Sequence, residues 1–221
     1  MKSSSMWLSV IALLAVSVGL IIWGARNAQV ASTVENGGSG LTAAVSAMDN
    51  IKGATSTDAV TLVEYSDFEC PACGAYAPVV KALMEEYKEE VAFVYRHFPL
   101  PQHLSARTAA AAAEAAGKQG RFFEMHDRLF ENQKEWAGAK DPKAVIVGYA
   151  EELGLNVDQF MADLESDEIA EKVEQDRLSG TTSGVRGTPT FYLNGEQIAN
   201  PQTPEAFKAL LDEAIGTTTA Q

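Results

Sequence analysis

The 221-residue chain is poor in cysteine, in histidine and in positive charge. Two cysteines are too few for a disulfide scaffold or a four-thiolate zinc site, so they form one pair that is structural, metal-linked or catalytic. Three histidines, His97, His103 and His126, show none of the paired spacing of a zinc motif. Seventeen Lys and Arg stand against thirty Asp and Glu, a formal charge of −13, so no basic surface is available to neutralise phosphates and nucleic acid is excluded as a partner. There is no internal repeat and one long apolar run, which excludes a solenoid and a multi-span membrane protein. What remains, 46% hydrophobic and 21% charged, is ordinary globular composition with room for one medium domain.

The apolar run is Met6 to Trp23, uncharged and apolar on every face. Its 18 residues would span about 27 Å as a helix, close to a hydrocarbon core of about 30 Å. It is longer than a secretory h-region and no A-x-A cleavage pattern follows, so residues 1–26 are expected to be an uncleaved single-pass signal anchor. Lys2 and the α-amino group ahead of it bias the C-terminal bulk to the extracytoplasmic side. Residues 27–57 are small and polar and are expected to be a flexible linker. The soluble domain is expected over 58–221 and carries nearly all the acidity.

Within it, Ala59–Tyr65 and Val91–Phe98 read as buried strands flanking an amphipathic helix over Ala72–Glu90, a βαβ unit with a parallel pair. Residues of about 102–183 follow helical spacing throughout. Thr190–Leu193 and Glu196–Ile198 flank Asn194-Gly195, a strong hairpin signal, and Thr203-Pro204 opens a closing helix. The fold class is therefore α/β: βαβ, a helical insertion of about eighty residues, then ββα.

Cys70-Pro71-Ala72-Cys73 falls where the first strand hands over to the first helix. Pro71 suits the first helical position, and the free N–H groups of that terminus favour a thiolate at Cys70. Cys73, one turn on, is the resolving thiol. Asp67 and Glu69, if close in space, oppose ionisation of Cys70. A structural disulfide closing so short a loop is an inefficient staple. Half of a metal site and a pair of inert buried thiols are the other readings, and the strand-to-helix position favours redox chemistry over all three.

The segments LVEYSDFECPAC (62–73), YRHFPLPQH (95–103), QGRFFEMHDRLFENQ (119–133) and GVRGTPTFYLNG (184–195) resemble the DsbA-like thiol-disulfide oxidoreductases of the thioredoxin superfamily, in that family's order and spacing. The resemblance implies a thioredoxin-like fold with a helical insertion and no cofactor beyond a redox-active Cys70–Cys73 disulfide. It implies a cis peptide at Thr188-Pro189 facing the disulfide, with Thr188 beside the substrate chain, and a buried acid, Glu64, exchanging a proton with Cys73. His103 falls where relatives often carry a histidine, but packing or capping serves equally well and it is left out of the catalytic set. His97 and His126 are assigned nothing. Pro71-Ala72 replaces the Pro-His of strongly oxidising members, which removes a group that could stabilise the thiolate.

The function expected is an anchored extracytoplasmic oxidase that passes its disulfide to unfolded or reduced exported proteins and is re-oxidised by a membrane partner. A reductase or isomerase using the same site is the alternative, as is a non-enzymatic module holding a soft metal ion or a client.

Overall fold

In the computed structural model, residues 40–218 are described, and the expected anchor lies outside them. Among the described residues no helix is long and apolar enough to cross a membrane. Strand β1 (Asn50–Gly53) precedes the βαβ unit of β2 (Val60–Ser66), α1 (Pro71–Glu86) and β3 (Val91–His97). Six helices follow: α2 (Ala106–Gly117), α3 (Phe122–Glu131), α4 (Gln133–Ala137), α5 (Pro142–Glu152), α6 (Val157–Leu164) and α7 (Asp167–Ser183). The hairpin β4 (Thr190–Leu193) and β5 (Glu196–Ile198) and helix α8 (Pro204–Thr218) complete the fold.

The sheet order is β1-β3-β2-β4-β5. β2 and β3 are parallel, joined by the crossover through α1, and the other pairings are antiparallel. Asn194 and Gly195 both take positive φ, the conformation a tight hairpin needs.

Both faces of the sheet are covered, and the alternation along each strand assigns residues to them. Val60 and Leu62 of β2, Phe93 and Tyr95 of β3 and Phe191 of β4 face the main core, which continues through α1, α8 and the helical insertion. Val63, Tyr65, Val94 and Tyr192 face a second core with Phe98 and Val185. Period two therefore places Glu64 on the main-core face, in register with Tyr95 and Phe191. In the insertion, α2 buries seven alanines and packs against α3, α5, α6 and α7. Side chains this small let four helices approach one axis.

The flexible linker expected over residues 27–57 is corrected for its described part, because residues 40–57 join the domain. β1 pairs with β3, Leu41 N–H donates to the Gly195 carbonyl at 2.7 Å, and Thr42 bonds Ser183. The stronger hold is Arg96, buried on β3. Its guanidinium donates to both oxygens of Asp49 at 2.7 and 3.0 Å, to the carbonyls of Ala43 and Ala44, and to the Tyr65 hydroxyl. Composition suggested disorder because the segment has little apolar surface to bury, whereas its order comes from charge-assisted hydrogen bonds made by a distant residue.

Candidate active site

Cys70 is the residue before helix α1, with extended backbone, and Pro71 occupies the first helical position. The turn leading to it is built by Asp67. Its carboxylate accepts from the N–H groups of Glu69 and Leu100, each at 2.8 Å, and from or to His103 Nδ1 at 2.8 Å, while its carbonyl accepts the Cys70 N–H at 3.0 Å. Glu69 accepts from Ser105 N–H at 2.7 Å. Both acids that sequence proximity set against Cys70 are thus committed to other partners. His103 orients Asp67 rather than reaching a sulfur.

Helix α4 clamps the same loop. Gln133 Nε2 donates to the carbonyls of Phe68 and Cys70 at 2.7 and 2.9 Å. Gly74 lies so close that a Cβ there would meet Gln133 Oε1 at 2.8 Å. Phe68 stacks on Tyr95 and lies against Phe130 and His126. Burial lowers the pKa of His126, against the opposing bond to Asp127, so the ring is neutral within its aromatic cage. His97, at the end of β3, pairs with Glu114 of α2 at 2.9 Å.

The two thiols occupy opposite environments. Cys70 is 7% exposed, Cys73 fully enclosed. The hydrogen bond from Cys73 lowers the Cys70 pKa to about 5 against the cost of burial, helped by the N–H groups of Cys73 and Ala72 at the helix start. Burial first, then the bond to Cys70 and the charge of Glu64, push Cys73 far above an ordinary thiol. The Cys70 Sγ donates to the Thr188 carbonyl at 3.4 Å, and the Thr188-Pro189 peptide is cis. The Thr188 hydroxyl is buried without a partner among the described residues. Asn200 holds the Pro189 carbonyl at 2.8 Å.

Beneath them, Glu64 is buried and accepts from Ser66 Oγ at 2.6 Å. Burial raises its pKa to about 7, opposed by Ser66 and reinforced by Cys70. Tyr95, its register partner, has a buried hydroxyl without a partner among the described residues. Of the sequence-predicted residues, Cys70, Pro71, Ala72, Cys73, Thr188 and Pro189 therefore meet at one spot, with Glu64 below. Asp67 was read only as a charge opposing Cys70, and His103, left out of the catalytic set, holds Asp67. Gln133 and Ser66 were missed as site residues. Only the alternation that puts Ser66 on the Glu64 face of β2 could have signalled one of them.

One cluster of metal-ligand type, His97, Glu114 and Asp176, occurs among the described residues, and it includes neither cysteine. Lys172 Nζ already lies 2.7 Å from each Asp176 oxygen, filling the place of a cation.

A dithiol at a strand-to-helix junction, one thiol acidic and one buried, facing a cis-proline loop, defines a thioredoxin-fold thiol-disulfide exchange site. Residues 48–213 match the thioredoxin family, to which this chain belongs. Among solved structures, a thioredoxin-like oxidoreductase from Silicibacter pomeroyi is 25% identical with a TM-score of 0.63, covering 76% of this chain and 93% of that one. The thiol-disulfide exchange protein α-DsbA2 from Wolbachia pipientis is 19% identical with a TM-score of 0.66, covering 76% and 87%, and shows the shared DsbA-like fold. Na⁺/H⁺ antiporter NhaA 3 of Salinispora tropica is 41% identical over 170 residues, 76% of this chain. This chain spans about a quarter of the length of the curated relatives it matches.

Proposed function

We propose that this protein is an extracytoplasmic, membrane-anchored disulfide donor for newly exported, reduced proteins. The observation that carries the reading is the asymmetry of the pair, an acidic Cys70 above a buried, weakly acidic Cys73. A client thiolate attacks Cys70 Sγ, forming a client–Cys70 disulfide and breaking the Cys70–Cys73 bond. Cys73 leaves as a thiolate and takes up a proton, for which Glu64, with a pKa near 7, is the source. A second client thiolate then attacks the client's own bridged sulfur. The client leaves with a disulfide, Cys70 leaves as its stabilised thiolate, and the protein has gained two electrons that a membrane redox partner must remove.

An acidic Cys70 stabilises the reduced form and so favours donation over reduction of substrates. The membrane site rests on the Met6–Trp23 run, and relatives named as antiporters fit a domain that works beside a bilayer. Cys70→Ser in the full chain tests the assignment. The variant is expected to lose oxidation of a reduced dithiol protein, and oxidation at the wild-type rate would overturn it.

A further inference from the structure

A groove of about 510 Å³ runs between the Phe98–Leu104 loop and the Val185-Arg186 segment. Phe98, Leu100 and Val185 give it an apolar lining, and at its rim Leu104 is 91% exposed. No other large hydrophobic side chain among the described residues is as bare. The rim also gathers positive charge in a chain of formal charge −13. Arg107 and Arg177 share the single carboxylate of Glu174, and Arg186 is exposed with no ion pair or hydrogen bond among the described residues. The acid facing His103, Asp67, is buried and occupied by three partners.

Both walls continue into the loops that hold the reactive sulfur. Arg186 is two residues ahead of Thr188, whose carbonyl lies 3.4 Å from Cys70 Sγ. His103, on the other wall, bonds Asp67, which receives the Cys70 N–H. Two residues of extended chain cover about 7 Å, so a segment presenting a cysteine to Cys70 would bring its next two or three residues to Arg186 and Leu104.

The geometry points to this groove as the recognition site for an extended client segment carrying an acidic and an aliphatic side chain within about three residues of its reacting cysteine. The inference rests on the exchange reading above and adds the substrate class. The apolar lining excludes water around the aliphatic side chain, and the unpaired guanidinium of Arg186 supplies the charge match.

The test uses the full-length protein in its disulfide form and dithiol peptides of one length that differ beside the cysteine, Leu-Glu, Leu-Lys and Ser-Glu. Exchange rates are measured at about 0.15 M salt, where screening beyond about 8 Å removes the repulsion of the acidic domain as a whole. The Leu-Glu peptide is expected to react about two- to fivefold faster than Leu-Lys, the size of an exposed charge pair. It is also expected to outpace Ser-Glu. Arg186→Glu is expected to bring the Glu-to-Lys ratio to one or below, while Lys140→Glu, a charge reversal at an exposed position outside the groove, leaves it intact. Equal wild-type rates, or a ratio that survives Arg186→Glu, would overturn the inference. Failure of the wild type to exchange with any peptide or with dithiothreitol would overturn the oxidoreductase reading instead.

Discussion

Cys70 and Cys73 are chemically identical side chains three positions apart, yet hydrogen bonds at the start of α1 hold one near pKa 5 while burial holds the other above its ordinary range. Alkylation of the reduced protein is therefore expected to titrate at Cys70 with a midpoint near pH 5 and to leave Cys73 untouched through neutral pH. A Cys70 midpoint near the free-thiol value of about 8.5 would contradict this. Glu64 shifts the other way. Its folded pKa, about 7, exceeds the ordinary carboxylate value, so its contribution to stability is full below that value and is lost as pH rises through 7. Glu64→Gln, which keeps an acceptor for Ser66, should be more stable than wild type at pH 8 by about 1–3 kcal/mol and equal to it near pH 4. Urea denaturation at both pH values checks it, and a less stable variant at pH 8 would refute the assignment. The cysteine pair was legible because local spacing places it at a strand-to-helix junction, and Glu64 only through the family resemblance. Gln133 was not, since its two bonds to the Phe68 and Cys70 carbonyls cross more than sixty residues of chain.

Periodicity carried the elements well, within a residue or two for β2, β3 and the β4–β5 hairpin, because each is amphipathic or buried in a way that repeats. It failed at β1 and the residues before it, where order depends on Arg96 and Asp49 rather than on apolar surface. Helix α7 shows a related limit. Its polar sequence includes Gly180, ordinarily a weak point in a helix, yet a Cβ there would meet the Phe98 ring at 2.6 Å and the Tyr65 ring at 2.9 Å. Glycine is what allows α7 to lie on the second face of the sheet, beside the Val185–Pro189 loop. Gly180→Ala should therefore destabilise the protein by about 1–3 kcal/mol through overpacking, despite a gain in helix propensity of about 1 kcal/mol. A rise in Tm would show that Phe98 and Tyr65 yield more readily than their burial implies.

At the scale of the molecule, the sheet brings residues from β2, α1 and the loop before β4 to one point, and the helical insertion locks that point from the side through Gln133 and through Phe130 packed on Phe68. The insertion was visible in the sequence as helix, but its grip on the active loop was not, because neither a glutamine nor a phenylalanine announces a distant partner. The direction of electron flow is the central claim, and an equilibrium redox titration of the full-length protein against glutathione buffers tests it most directly. Thiol pKa values of about 7 and about 3.5 accompany potentials of about −270 and about −120 mV in thioredoxin and DsbA. A Cys70 pKa lowered to about 5 predicts a potential above that of thioredoxin, on the donor side of about −270 mV. A potential at or below about −270 mV would make the protein a reductase and contradict the account.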